Sequence, residues 1–245
     1  MRLPNMHGLI DRRLLVNYRA DPAVVSRLLP APFRPQTFAG HAVVGICLIR
    51  LKHIRPGFLP RWIGIRSENA AHRFAVAWDG PTGECTGVYI PRRDTSSRLN
   101  VLAGGRVFPG IHQLARFTVD ERPPTIRIAL QSRDGTVDLC VAGQMASALP
   151  TSSIFGDLAT ASRFFAGGSL GWSATADPQR HHGLELRCDR WTVDVVAMDE
   201  ARSGFFDDPQ RFPPGTIALD HALIMRDINH SWHERGHLTA TSCCE

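Results

Sequence analysis

The segment Arg12–Phe33, RRLLVNYRADPAVVSRLLPAPF, changes its pattern half-way along, and that change sets the fold class. Its first part, RLLVNY, is short and made of residues that suit a pleated, half-buried surface, which predicts a strand. Asp21 then stands where it can cap a helix and Pro22 occupies the first helical position. Pro30 stops that helix after about two turns. A strand that runs into a brief, firmly bounded helix belongs to a fold in which helices are accessories.

The flanking sequence repeats the strand signal. HAVVGICLIRL, HRFAVAW, TGVYI, TIRIAL and WTVDVVAM are short and β-branched or alternating, and proline and glycine separate them. Only TSSIFGDLATASRFFAGG reads as a second helix: Ile154, Leu158, Ala161 and Phe165 share a face, Ser152 or Ser153 can cap, and Gly167 ends it. The expectation is a mainly β (α+β) architecture with a few short helices. We expect one domain over residues 1–240 and a flexible tail at 241–245, since a β-rich chain of 245 residues often forms a single domain.

Hydrophobic residues at 43% and charged residues at 21% are ordinary for a globular protein and exclude disordered and fibrous classes. The N-terminal stretch MRLPNMHGLIDRRLL has no apolar core of signal-peptide length. The apolar run from Ala42 to Ile49 is far shorter than the roughly 20 residues of a membrane span. The expected setting is soluble and cytoplasmic, with no membrane partner. Cys47, Cys85, Cys140, Cys188, Cys243 and Cys244 show no CxxC spacing, which argues for reduced thiols, with Cys47 and Cys140 as core residues.

The net charge is +5, yet the positive residues are spread along the chain with no basic block, so nucleic acid is not the expected partner. Of 28 basic residues, Lys52 is the only lysine. High genomic GC content would account for part of that bias. The stretch GVYIPRRDTSSRLNVLAGGRVFPGIH, Gly87–His112, has four arginines and several hydroxyls but no amine.

No phosphate-binding glycine signature and no GxSxG are present, and the glycines of AGGR read as a bend. His230, His233 and His237 would share one helical face with metal-ligand spacing, beside His221, but a solvated terminal segment is the plainer reading and no metal is expected. Glu68, His72 and Arg73 enter an apolar strand, where polar groups must be paired, either as a structural ion pair or as site groups. Arg92, Arg93, Asp94, Thr95 and Ser96 follow Tyr89 at a strand end, where a scaffold can present functional groups. The guanidinium fork suits a carboxylate or phosphate, and the alternative there is a surface turn held by an Arg–Asp pair.

These segments, together with FPPGTIALDHALIMRDINHSW, resemble the YqjF-like bacterial family of unknown function (domain of unknown function 2071). That family resembles a distant branch of the acetoacetate-decarboxylase-like superfamily. The resemblance implies a double-layered, strongly bent β-barrel around a small polar cavity. It also implies a cavity arginine at Arg12, or with one shift Arg13, and a cavity glutamate at Glu68. The superfamily's Schiff-base lysine follows an aromatic–proline pair, and here Phe108 and Pro109 are followed by Gly110, Ile111 and His112. Gly110 has no amine, and an arginine cannot lose its proton to attack a carbonyl. Lys52 on another strand is the remaining candidate amine.

The combined expectation is a cavity for a small anionic molecule, a carboxylate or keto acid, with no cofactor. Arg12, Arg92, Arg93, Asp94, Tyr89 and His72 would bind it, Glu68 would act as acid or base and His112 would assist. Any lyase-type or enolising activity would proceed without an imine. A non-catalytic binding module on the same barrel is one alternative and a purely structural ion-pair network is another. Homo-oligomerisation is compatible with all three.

Overall fold

The structure, a computed structural model, describes residues 5–103 and 110–239. The tail cysteines Cys243 and Cys244, the Phe108–Pro109 pair and most of the AGGR bend lie outside them. The predicted first strand and helix are β1 (Met6–Ala20) and α1 (Pro22–Leu28), and the Asp21 carboxylate accepts from the Ala23 amide at the cap.

Two short strands, β2 (Arg34–Pro35) and β3 (Thr37–Phe38), lead to three long ones, β4 (His41–Pro56), β5 (Ile65–Gly80) and β6 (Gly83–Thr95). A brief helix that the sequence pattern did not reveal, α2 (Arg98–Ala103), follows. The Ser97 hydroxyl accepts from the Asn100 amide at its start. Then come β7 (His112–Arg122), β8 (Thr125–Ser132), β9 (Asp138–Ala146), α3 (Leu158–Ala166), β10 (Leu170–Ala174), β11 (Arg180–Cys188), β12 (Asp194–Ser203) and β13 (Ile217–Thr239).

α3 begins later than the serines suggested. Asp157 caps it by accepting from the Thr160 amide, whereas the Ser153 hydroxyl is taken by Asp220 and by the Phe155 amide. Ile154 therefore precedes the helix.

The thirteen strands of the described residues form one bent sheet that closes on itself twice. One ring runs β6-β7-β8-β9-β12-β13-β1-β4-β5 and returns to β6. The other runs β11-β10-β6-β5-β4-β1-β13 and returns to β11. The expected double-layered barrel is thus two rings sharing the wall β6-β5-β4-β1-β13. Closure leaves the long strands of that wall with no free edge.

Alternation along the wall sends side chains into one ring or the other. Leu14, Val16 and Tyr18 of β1 join Phe74, Val76 and Trp78 of β5 in the core of the larger ring. Leu15, Cys47, Ala71 and Ala75 face the other way, into a second core with Phe165 of α3.

The C-terminal histidines lie on β13, an extended strand of 23 residues and not a helix, so a spacing of three and four does not gather them on one face. Among the described residues no cluster of histidine, cysteine or acidic side chains could hold a metal ion. No described helix is long and apolar enough to cross a membrane.

Candidate functional site

The two faces of the shared wall carry two different arrangements of charge. On the larger ring's face, Arg226, Arg12, Arg50 and Glu68 lie in one row across β13, β1, β4 and β5. Three arginines side by side repel one another unless acids intervene. Arg12 donates to Glu68 at 2.6 Å and to Glu121 at 2.5 Å, and Arg50 also donates to Glu68. Glu121, arriving from β7, additionally contacts Arg50 at 3.3 Å and Arg226 at 3.2 Å. Among the described residues it is the one acid that touches all three guanidiniums. Burial works against its charge, but Arg12, Arg50 and Arg226 hold its carboxyl below the usual range. Lys52 extends the network through Asp11, its Nζ 2.5 Å from Oδ1.

The smaller ring's face carries a cavity of about 120 Å³. Three arginines line it: Arg13 from β1, Arg73 from β5 and Arg93 from β6. None of them has a carboxylate partner among the described residues. Arg13 donates through Nε to the Cys47 thiol at 3.3 Å. Arg93 donates through Nε and Nη2 to the hydroxyl of Ser173, at 3.1 and 2.9 Å. Arg73 donates to the Asn17 side-chain oxygen and stacks over Phe165 at 5.1 Å, while its buried Nε has no partner.

Asn17 is itself fixed by His221 at 3.1 Å, and His221 by Asp220 at 2.6 Å, so Arg73 is oriented by a buried neutral amide backed by a His–Asp pair. Burial draws the pKa of Arg73 and Arg93 down to about 10, which still leaves both charged at neutral pH. The cavity therefore holds uncompensated positive charge, a costly arrangement without an anion.

Of the eight residues expected at the site, three line this cavity: Arg93, Asp94 and His112. The Asp94 carboxylate is turned to Arg92, whose Nη2 lies 2.8 Å away, and burial pushes its pKa up while Arg92 opposes the rise. His112 bonds through Nδ1 to the Gly110 carbonyl at 3.2 Å; burial and Arg93 lower its pKa to about 4, so it is neutral at pH 7.

The other five face away from it. Arg12 and Glu68 belong to the ion-pair row. Arg92 ties Asp94 to Asp134 and Thr136. Tyr89 packs in the larger ring's core against Phe33 at 5.4 Å and His181 at 5.6 Å. His72 stacks on Phe205 at 4.5 Å, and burial takes its pKa to about 3. For Arg12, Glu68, Arg92 and His72 the physical reason is parity, since a one-residue step along a strand exchanges faces. Tyr89, an even four residues from Arg93, is turned away by the register shift between the Phe74–Tyr89 and His72–Arg92 pairs. Ser67, Asn69, Ala71 and Arg73 of β5 line the cavity, joined by the small Ala70 between them, while Glu68, His72 and Phe74 do not.

Arg13, the shifted alternative to Arg12, is the cavity arginine of β1. Cys47, expected in the core, is both buried and a cavity-lining thiol. One sequence signal could have separated the two faces of β5. Phe74, Val76 and Trp78 mark the large-residue core face of β5, and counting back in twos from them sends Glu68 and His72 into that core.

The lysine position is closed as well as empty. Gly110 has φ +88°, and a Cβ there would lie 2.7 Å from the Cβ of Ser173, the residue that holds Arg93. Lys52 is bound to Asp11 on the wall's edge and does not line the cavity. No lysine amine faces it among the described residues.

Solved structures share this fold at low identity. Acetoacetate decarboxylase from Legionella pneumophila aligns with TM-score 0.65 and 10% identity over 97% of this chain and 88% of its own. The enduracididine biosynthesis enzyme MppR, complexed with pyruvate, aligns with TM-score 0.62 and 11% identity over 98% and 92%. An acetoacetate decarboxylase-like enzyme from Sphingomonas wittichii RW1 aligns with TM-score 0.61 and 11% identity over 98% and 93%. No curated protein matches the sequence. Residues 10–206 match domain of unknown function 2071, described as an uncharacterized conserved protein, and the chain belongs to that family.

Proposed function

We propose that the protein binds a small carboxylate, of which a keto acid is the best-fitting kind, in the cavity between β1, β5 and β6. The observation that carries this reading is the convergence of Arg13, Arg73 and Arg93 on one cavity, with no carboxylate bound to any of the three among the described residues. A guanidinium held by a thiol, an amide oxygen or a hydroxyl keeps its charge unbalanced, and a carboxylate supplies both the charge and the paired acceptors it lacks. That a protein of the same fold is known in complex with pyruvate supports the ligand class.

Chemistry on such a ligand proceeds without an imine, because the cavity offers no lysine. Neutral His112 is the group positioned to exchange a proton, with the arginines stabilising a developing enolate. A non-catalytic binding module is the second reading. It is favoured by Asp94, the one carboxylate residue lining the cavity, being committed to Arg92.

The test is a thermal-shift and calorimetric screen against acetate, pyruvate, larger 2-oxo acids and dicarboxylates, since a ligand of the native state raises its stability. Binding that disappears in Arg93→Met and Arg13→Ala supports the cavity. Binding that survives both overturns it. Turnover of a bound acid, lost in His112→Phe with affinity kept, separates enzyme from binder.

A further inference from the structure

The lining of the same cavity narrows the ligand further, on the assumption that the carboxylate reading above holds. Strand register orders the lining from end to end. Cys47 pairs with Ala71 and Ala71 with Arg93, while the next row holds Arg13, Ile49 and Asn69. Moving on along β4 and β5, Leu51 pairs with Ser67 and Ile54 with Ile65.

The far strands close the same end with apolar groups. Leu186 of β11 pairs with Trp232 of β13, Trp232 pairs with Met6, and Met6 with Pro56. The guanidiniums thus sit towards one end, and Leu51, Ile54, Ile65, Leu186 and Trp232 line the other. Ser67 is the polar exception there, and its hydroxyl already accepts from the Asn69 side chain at 2.9 Å. A ligand that placed only a carboxylate among the arginines would leave this apolar end facing water.

We infer that the ligand is amphipathic: a carboxylate head with an unbranched, branched or aromatic hydrocarbon tail that fills the Ile54–Ile65–Trp232 end. A volume of about 120 Å³, close to the roughly 150 Å³ of an apolar cavity that holds benzene, has to take head and tail together, which sets the whole acid, its carboxylate included, at about four to six carbons. Leu186 and Ile65 are then specificity-determining residues, since they meet the tail and not the head.

The experiment is calorimetric titration of the full chain with acetate, butanoate, hexanoate and phenylacetate. The expected result is a Kd that falls roughly fourfold per added methylene up to about six carbons. Leu186→Ala and Ile65→Ala should weaken hexanoate severalfold and leave acetate unchanged. If acetate binds and the series is flat, or tightens equally in both variants, the tail assignment is overturned while the carboxylate reading stands. If no acid of any length binds, the carboxylate reading fails and this inference fails with it.

Discussion

Arg12 and Arg13 are neighbours in the chain and opposites in the fold. Arg12 is fully buried and closed by Glu68 and Glu121, whereas Arg13 points through the same wall into the cavity with a thiol for its nearest acceptor. One residue of parity separates a charge that holds the barrel from a charge left without a carboxylate among the described residues.

Substitution at the two positions should therefore act on different quantities. Removing one member of a buried ion pair strands the other, which costs about 3–5 kcal/mol. Arg12→Ala is expected to lower Tm by on the order of 10 °C for a chain of this size. Glu68→Gln and Glu121→Gln should lower it in the same direction, with carboxylate affinity unchanged in any variant that folds. Arg93→Met removes an uncompensated cavity charge, so its Tm should be unchanged or raised while binding is lost. Scanning calorimetry paired with titration checks both; a large Tm loss in Arg93→Met would mean that the cavity arginines are structural.

The pH dependence of stability follows from His72. Burial puts its pKa near 3 in the folded chain, against an ordinary value near 6.5. Between those values the unfolded chain binds a proton that the folded chain does not. Stability from this group is thus fully present above pH 6.5 and is lost as pH falls, at up to about 1.4 kcal/mol per pH unit. His112 and His230, both lowered to about 4 by burial, act in the same direction. Urea unfolding of the wild type should show stability falling from pH 7 to pH 5. His72→Phe, whose ring suits the Phe205–Phe206 surroundings, should flatten that slope by close to one proton. An unchanged slope would place a charged histidine inside the fold.

Much of this was legible in the sequence, and the losses have two causes. The Asp21 and Pro22 signals placed α1 as found, and short alternating runs gave the strands because each strand buries its two faces differently. Local chemistry also marked Arg93 and His112. Motif position does not carry parity, however, and so it did not tell that Glu68, Arg12, Arg92 and His72 face away from the cavity. Glu121 and Ser173 were missed because their partners are distant in sequence: Glu121 meets Arg12 across the larger ring, and Ser173 meets Arg93 only through the pairing of β10 with β6.

Restoring a lysine at position 110 should not create an imine-forming enzyme. Gly110 has a positive φ, which costs an L-residue roughly 1–2 kcal/mol, and its Cβ would collide with Ser173. Gly110→Lys is expected to lower Tm by several degrees and to weaken carboxylate binding by displacing the Ser173–Arg93 contact. Cyanoborohydride reduction with pyruvate, read by mass spectrometry, should yield no adduct at residue 110. An adduct there would show that β10 can move aside and that the cavity tolerates the decarboxylase arrangement.

Cys47 provides a reporter inside the cavity. Its thiol lies 3.3 Å from Arg13 Nε and lines the same space as Arg73 and Arg93, whereas the free thiol Cys85 lies outside it. Iodoacetate carries a carboxylate and iodoacetamide does not, so the ratio of their rates at one thiol measures local attraction for an anion. A hydrogen bond to a charged group contributes about 1.5–3 kcal/mol, enough for roughly a tenfold preference. Peptide mapping should show the iodoacetate-to-iodoacetamide ratio at Cys47 exceeding that at Cys85 by about this factor. The excess should shrink in Arg13→Ala and in the presence of hexanoate. Equal ratios at the two thiols would mean that the cavity's guanidiniums do not attract a carboxylate, and the anion-binding function would have to be given up.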